Sequence, residues 1–181
     1  FEPYARSLET IKSKSADLVV GVYKDELENV IYPKFHFGAD DVVACFMKEK
    51  SIKWNGEATL KNSVLSWIRK YNYNEYLSIK PKRIEIVDKR DSGIKMMMKE
   101  RVDFFIDNSY DMEATIEEMG LDRNLFEIKF IKFLNLYFCF VNDDKGKKLA
   151  SMYDKNFKTL IQNGKIKKLY EEYEMLPNYN F

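Results

Sequence analysis

The sequence predicts an α/β fold, because segments with helical spacing of apolar residues alternate with short, β-branched apolar runs. In residues 3–13, Ala5, Leu8 and Ile11 recur at helical spacing between charged positions, which predicts an amphipathic helix. The run 17–23 is unbroken and rich in valine, and it predicts a strand buried on both faces. Continued alternation of this kind predicts mainly parallel strand pairing.

The remaining elements follow from the same two patterns and from turn and capping residues. Short apolar runs between polar segments predict strands at 42–47, 64–68, 84–87, 102–106, 126–131 and 136–141. Apolar spacing and capping residues predict helices at 71–79, after Asp91, at 111–119 and over the C-terminal segment, which Gly164 divides into two stripes. The polar segment 48–61 contains Asn55-Gly56 and is predicted to be a loop.

Composition excludes several classes of protein. The chain has 181 residues, with 30 Lys and Arg against 29 Asp and Glu, so its formal charge of 30 − 29 = +1 gives no support to nucleic-acid binding. It has no run of about 18 apolar residues that would cross a membrane. His36, Cys45 and Cys139 are too few and too scattered for a zinc site, and neither a metal nor a cofactor is expected.

The chain begins at Phe1 rather than at Met, and we expect a processed piece from which any export signal has been removed. Cys45 and Cys139 lie in apolar strands, where buried free thiols are expected, although a disulfide between them stays open. Met96-Met97-Met98 point in different directions on a helix, which favours core packing over a soft-metal site.

Three segments, in this order, carry a resemblance to a known family. They are the helix and strand of 3–22, the motif Ile94-Lys-Met-Met-Met-Lys-Glu-Arg-Val-Asp-Phe-Phe-Ile-Asp107, and the strand 136–141 followed by the segment 157–170. Together they resemble the bacterial family 3 of extracytoplasmic solute-binding proteins, the amino-acid-binding type. The resemblance spans nearly the whole chain.

The resemblance implies a two-lobed, periplasmic-binding-protein-like α/β fold with two crossover segments, near residues 47–53 and 133–136. One lobe would combine residues 1–48 with 136–181, and the other would be residues 49–135. The family opens with a strand–helix–strand unit of roughly 30 residues that has no counterpart here. The first lobe is therefore expected to be truncated at its N-terminus.

The function implied by the resemblance is binding of a small polar solute between the lobes, in the periplasm. The protein would be a monomer without enzymatic activity, and it would deliver its ligand to a membrane transporter, such as an ABC transporter, or to a sensor. Two alternatives stay open, namely a dehydratase-like enzyme on the same scaffold and a sensory input domain of a membrane receptor. A transmembrane segment elsewhere in the gene would distinguish the receptor.

The ligand-binding residues that the resemblance implies lie where strands end or enter loops. They are Tyr23, Lys24, Arg69, Lys70, Tyr71, Asn72, Tyr73 and Asp107. Asp107 matches the position that contacts the ligand's ammonium group, and the alternative is that it accepts backbone bonds at the next turn. Residues 69–73 resemble the family's ligand loop, although Lys70 stands where the family prefers Gly. The alternative for this loop is a surface turn with two packing tyrosines.

The charges near the expected site favour an amine-bearing or amino-acid-like ligand over a dicarboxylic acid. Glu26 stands where the family places a carboxylate-binding Arg, and Asp107 adds a second carboxylate. Asp103 is expected to be structural, Arg6 to be a solvated helix charge, and His36 to have a local hydrogen-bonding role.

Overall fold

The computed structural model describes residues 4–175, which form two compact units. One unit combines the described parts of Phe1–Asp40 and Phe133–Phe181, and the other is Asp41–Lys132. The expected lobe boundaries, after residues 48 and 135, stay a prediction because a hinge is defined by motion rather than by contacts within one conformation. The expected start of the first helix at Pro3, and residues 176–181, lie outside the described residues.

The chain contains both helices and strands, as predicted, but within the described residues no α-helix separates the first five strands. The helices are α1 (Tyr4–Lys12), α2 (Arg90–Met98), α3 (Ser109–Glu118), α4 (Asp144–Gln162) and α5 (Lys165–Glu172). The strands are β1 (Leu18–Tyr23), β2 (Val30–Ile31), β3 (Gly38–Met47), β4 (Val64–Ile68), β5 (Arg83–Val87), β6 (Phe104–Asn108) and β7 (Phe126–Val141). Short 3₁₀ turns lie at Lys48–Lys50, Ala58–Leu60, Tyr73–Glu75 and Arg123–Leu125.

The sheet of the first unit is antiparallel. Both β1 and β2 pair antiparallel with β7, and α1 packs Leu8 and Ile11 against this sheet. The prediction that β1 is buried on both faces is wrong, because Leu18 is 41% exposed and Val20 is 49% exposed. Val19 and Val22 share a core with α1, whereas the alternate residues Leu18 and Val20 lie on the opposite face of the strand. Gly21, with φ +84°, lies where the pairing register shifts.

The second unit contains the parallel strands. Its order is β3-β6-β4-β5, in which β4 runs parallel to both β5 and β6, and β3 runs antiparallel to β6. Helices α2 and α3 pack on this sheet and bury Ile94, Met97, Met112 and Ile116. Gly93 permits the close approach of α2, since a Cβ there would lie 2.3 Å from the Phe105 ring.

Several local predictions are wrong, and each has a physical reason. Mainly parallel pairing was predicted, but among the pairs whose direction the structure describes only β4 with β5 and β4 with β6 are parallel, because consecutive strands without a crossover helix pair antiparallel more readily. Residues 71–79 form only the turn Tyr73–Glu75, preceded by Asn72 at φ 46°, which is not a helical conformation. The two strands predicted between 126 and 141 are one strand, β7. Lys89, not Asp91, occupies the N-cap of α2.

Other expectations are confirmed. Gly120 and Gly164 follow helices α3 and α4 in left-handed conformations, at φ 64° and φ 75°. Core packing is confirmed for Met97, which is fully buried, but not for Met98, which is 36% exposed. Cys45 and Cys139 are buried free thiols, and burial raises the pKa of each to about 12.

Within residues 4–175, no helix is both long enough and apolar enough to cross a membrane.

Candidate functional site

The candidate site lies at the carboxyl ends of three parallel strands in the second unit. Strand β4 leads into residues 69–73, β5 leads into Asp88, Lys89 and Arg90, and β6 ends with Asp107 and Asn108. Because these strands are parallel, their carboxyl ends meet at one edge of the sheet. Ligands of open α/β sheets bind at this edge.

A buried ion pair joins two of these strand ends. Nε of Arg90 donates to Oδ2 of Asp107 at 2.9 Å, and the Asp107 side chain has no exposed surface. Its other oxygen, Oδ1, accepts the Asn108 backbone N–H at 2.9 Å. Burial raises the pKa of Asp107 to about 7, and the positive charge of Arg90 opposes that rise. The carboxyl group is therefore held by fixed partners in a site without water access.

Arg90 is the centre of a wider network. Its Nη2 donates to the Tyr71 hydroxyl oxygen at 2.8 Å and also to Oδ2 of Asp111. Burial acts to lower the pKa of Arg90, but Asp107, Tyr71 and Asp111 outweigh it and hold that pKa above its ordinary value. The guanidinium also lies over the Tyr71 ring, 5.8 Å from its centroid. Three partners thus fix its orientation.

One nitrogen of Arg90 is left over. Its Nη1 has no hydrogen-bond partner among the residues that the structure describes, while Nε and Nη2 are both occupied. The Arg90 side chain is 28% exposed, so part of it remains accessible to solvent.

Asp111 is held by the start of α3. The Asn108 side chain accepts the Asp111 backbone N–H at 2.8 Å and donates from Nδ2 to Asp111 Oδ2 at 2.8 Å. This is an N-cap that also positions the carboxylate. Since the Asp111 side chain is 35% exposed, it remains accessible where Asp107 is not.

A cavity of about 450 Å³ lies beside this network and within the second unit. Its polar lining includes Asp88, Lys89, Arg90, Asp111 and Glu118. A cavity of this size accommodates a small solute. Charges of both signs line it, and Asp88 is already bonded to Arg69 outside it.

The predicted residues of the 69–73 loop take different positions. Tyr71 joins the network, whereas Arg69 is exposed and pairs with Asp88 at 2.6 Å. Lys70 and Asn72 adopt left-handed backbone conformations, at φ 76° and φ 46°. Tyr73 is buried, with its ring edge-on to those of Trp67 and Tyr71. The loop therefore provides one member of the network and one core residue.

The predicted residues of the first unit are bonded within that unit. The Tyr23 hydroxyl donates to Asp40 at 2.8 Å, and the Lys24 ammonium lies 5.7 Å from the Tyr137 ring centroid. Glu26 accepts the Tyr4 hydroxyl at 2.7 Å and the Tyr23 backbone N–H at 3.1 Å. Glu26 therefore has a structural role here, and ligand contact by Tyr23 and Lys24 stays a prediction.

The residues outside the site match their expected roles. Asp103 accepts the Val64 backbone N–H at 2.7 Å, and Arg6 is exposed on α1. The His36 ring nitrogen Nδ1 lies 3.0 Å from the Gly38 carbonyl oxygen.

Among the described residues, no group of His, Cys, Asp and Glu side chains is arranged to hold a metal ion.

Sequence reasoning missed Arg90 and Asp111. Arg90 follows the end of β5 by three residues, so the strand-end rule that selected Asp107 would also have selected it. Asp111 lies in the first turn of α3, where acidic residues are common and do not by themselves indicate a binding site. Only the folded structure brings Asp107 and Asp111 together at the Arg90 guanidinium.

The comparisons with known proteins concern the fold. No family model and no curated protein matches the sequence. Among solved structures, the substrate-binding protein of an amino-acid ABC transporter has TM-score 0.66 and 13% identity, over 91% of this chain and 74% of that chain. An ancestral arginine-binding protein bound to glutamine has TM-score 0.69 and 12% identity, over 97% and 79%. A substrate-binding protein of an ABC uptake transporter from Streptococcus pneumoniae with bound histidine has TM-score 0.64 and 11% identity, over 91% and 70%.

These likenesses show that the chain has the mixed α/β fold of periplasmic-binding-protein-like structures. The chain spans about three-quarters of the length of these proteins.

Proposed function

We propose that this chain binds a small polar, amino-acid-like solute and delivers it to a membrane transporter or sensor. The observation that carries the proposal is the Arg90–Asp107–Asp111 network, which lies at the carboxyl edge of parallel strands beside a cavity of about 450 Å³. The solved structures of the same fold add support, because two of them are substrate-binding proteins of ABC transporters and another is an ancestral arginine-binding protein.

The proposed ligand-contacting set keeps the residues predicted from the sequence and adds two. Arg90 and Asp111 offer a guanidinium and an accessible carboxylate, while Tyr71 offers a ring face and a hydroxyl group. The predicted members are Tyr23, Lys24, Arg69, Lys70, Tyr71, Asn72, Tyr73 and Asp107. A solute that bears both an acidic and a basic group suits this mixture of charges.

The wider setting of the proposal comes from the resemblance in sequence to family 3 solute-binding proteins. The protein would act outside the cytoplasmic membrane as a monomer. Lobes 1–48 with 136–181, and 49–135, would close over the solute, and closure would be the signal read by the partner.

The experiment is isothermal titration of the purified protein with the twenty amino acids, alongside native mass spectrometry for any solute that co-purifies. Binding of at least one amino acid at micromolar or tighter affinity is the expected result. No binding by the whole panel, together with no co-purified solute, would refute the proposal. Conversion of the bound solute, followed by NMR, would instead establish the dehydratase-like enzyme.

A further inference from the structure

The first unit contains a mostly apolar cavity of about 470 Å³. Its lining comes from residues 37–40 around the start of β3, from Leu136 in β7, and from the end of α5 with the residues that follow it. We infer that this cavity is a second ligand site and that it takes a hydrophobic amine, an organic cation with a ring-sized apolar body. The inference goes beyond the proposed function, because the cavity shares no described lining residue with the charged cavity beside Arg90.

The walls of this cavity are held by hydrogen bonds within the first unit. The Tyr170 hydroxyl donates to the Phe37 carbonyl oxygen at 2.9 Å, and the Phe37 backbone N–H donates to the Leu136 carbonyl oxygen at 2.9 Å. Gly38 lies directly against Tyr170, since a Cβ at Gly38 would be 3.3 Å from the hydroxyl oxygen. The cavity is therefore formed without a ligand, and it has the volume of a small-molecule site.

The end of α5 supplies an exposed apolar rim. Glu174 adopts a left-handed conformation, at φ 56°, and the Met175 backbone N–H donates back to the Tyr170 carbonyl oxygen at 2.8 Å. This turn ends the helix and places Met175 at the cavity. Leu169, Tyr173 and Met175 line the cavity and are 49%, 66% and 44% exposed. Exposed apolar side chains grouped around an apolar cavity are typical of a binding site.

One carboxylate lies in this apolar lining. Among the described residues that line the cavity, Asp40 is the only one with a charge, and its Oδ2 accepts the Tyr23 hydroxyl at 2.8 Å. A carboxylate accepts several hydrogen bonds, so the bond to Tyr23 is compatible with a further donor from a ligand. The aromatic rings of Phe37 and Tyr170 in the same lining also favour a cation, because ring faces attract positive charge.

The rim adds charge of the same sign as Asp40. Residues 169–175 contain three glutamates and neither Lys nor Arg. Glu171 is paired with Lys167 at 3.9 Å, whereas Glu172 and Glu174 add exposed negative charge. An acidic ligand would be repelled by these carboxylates, so the cavity favours an amine over an acid of the same size.

The test uses three indoles that share one apolar body and differ in charge. Tryptamine is the cation, tryptophol the neutral analogue and indole-3-propionate the anion, and each is titrated calorimetrically into the 181-residue chain. Asp40→Asn removes the charge but keeps an acceptor for the Tyr23 hydroxyl. Tyr173→Ser removes an exposed ring of the rim. The matched controls are Asp144→Asn and Tyr110→Ser, at exposed positions that do not line the cavity.

The wild type is expected to bind tryptamine at least about tenfold more tightly than indole-3-propionate, and more tightly than tryptophol. Asp40→Asn should reduce this preference for the cation over the anion at least about fivefold. Tyr173→Ser should weaken the binding of tryptamine and tryptophol alike, by at least about threefold, since its ring contributes to both. Both controls should bind as the wild type does.

Three results contradict the inference directly: no binding of tryptamine at millimolar concentration, tighter binding of the acid, or unchanged tryptamine binding in both cavity variants. Binding of tryptamine only to a protein shortened to residues 1–175 would also overturn it, because the occupant would then be residues 176–181 of the chain itself. A dimer in sedimentation velocity that Tyr173→Ser dissociates would identify a second copy of the chain as the occupant instead.

Discussion

In the second unit, three charged side chains meet at the carboxyl edge of parallel strands, whereas in the first unit, beside an antiparallel strand pair, the Tyr23 hydroxyl is bonded to Asp40. The cavities differ in the same way. The first unit has a mostly apolar cavity of about 470 Å³ lined by Phe37, Leu136, Leu169 and Tyr170 among others, and the second has the charged cavity beside Arg90.

The difference between the two units shows how strand direction determines where polar side chains come together. Parallel strands bring their loops to one edge, so residues far apart in sequence meet there, as Arg90 meets Asp107. Antiparallel strands of the first unit place Tyr23 and Lys24 beside partners that satisfy them locally. The specific recognition is therefore expected to come mainly from the second unit, and the following experiments test this contrast.

The largest expected effect is a dependence of stability on pH that comes from the second unit. The folded-state pKa of Asp107 is raised to about 7, against an ordinary value of 3.8, so the folded protein keeps this proton where the unfolded chain has lost it. The resulting stabilisation is complete below pH 4 and is lost as the pH rises towards 7, by roughly 4 kcal/mol in the free energy of unfolding.

Urea unfolding of the wild type and of Asp107→Asn between pH 4 and pH 8 measures this effect. In Asp107→Asn, the free energy of unfolding should not show the part of the decline with rising pH that comes from Asp107. Two parallel stability curves would show that Asp107 does not titrate in this range.

The next effect compares two glycines at helix–sheet contacts. A Cβ at Gly146 in α4 would lie 1.8 Å from the Val141 carbonyl oxygen, which is backbone and cannot turn aside. A Cβ at Gly93 in α2 would instead lie 2.3 Å from the Phe105 ring. We expect Gly146→Ala to lower the free energy of unfolding by about 3 kcal/mol or more, and Gly93→Ala by about 2 kcal/mol.

Denaturant unfolding monitored by far-UV circular dichroism tests both variants. A smaller loss for Gly146→Ala than for Gly93→Ala would mean that the start of α4 shifts more easily than the Phe105 ring.

A smaller effect is expected from removing the hydroxyl group of Tyr71 or of Tyr23, and ligand affinity should distinguish the two variants. Tyr71→Phe removes an acceptor of Arg90, and Tyr23→Phe removes a donor to Asp40, so each should cost about 1.5 kcal/mol of stability. Tyr71→Phe should also weaken amino-acid binding about threefold, because Arg90 loses one of its three partners. Calorimetric titration provides the measurement, and an equal loss of affinity for Tyr23→Phe would show that both units contribute to recognition.

The smallest effect concerns Lys24, whose ammonium lies over the Tyr137 ring. Replacing it by methionine should lower the free energy of unfolding by about 0.5 kcal/mol, since an exposed cation–π contact contributes little. A thermal denaturation series with Lys34→Met, another exposed lysine of the first unit, as the reference checks this value. If Lys24→Met lowers the free energy of unfolding by several times this amount more than Lys34→Met does, Lys24 makes stabilising contacts beyond the Tyr137 ring.

The sequence predicted the elements whose boundaries have local causes. Strand β4 is predicted at its observed bounds because polar residues surround a short apolar run, and Gly164 divides the last two helices through its left-handed conformation. Strand direction was not predictable, because the apolar run of β1 suits parallel and antiparallel partners alike. The single long strand β7 depends on its pairing with β1 and β2, which no local pattern reveals.

For the site, the strand-end rule found Asp107 but not the residue that neutralises it. A charged residue at a helix start is usually solvated, and nothing local distinguishes Arg90 from its neighbour Lys89. Their difference arises from the fold, because Arg90 reaches across to β6 and α3.

The pairing of β1 with β7 has a consequence for biosynthesis. Leu18 pairs with Phe140 and Tyr23 with Leu136, so α1 and β1 leave the ribosome long before their partner strand has been translated. The unit Asp41–Lys132 is continuous in sequence and is completed first. Until β7 emerges, the apolar side chains of Leu8, Ile11 and Val22 lack part of their native core, which leaves α1 and β1 exposed to non-native contacts during synthesis.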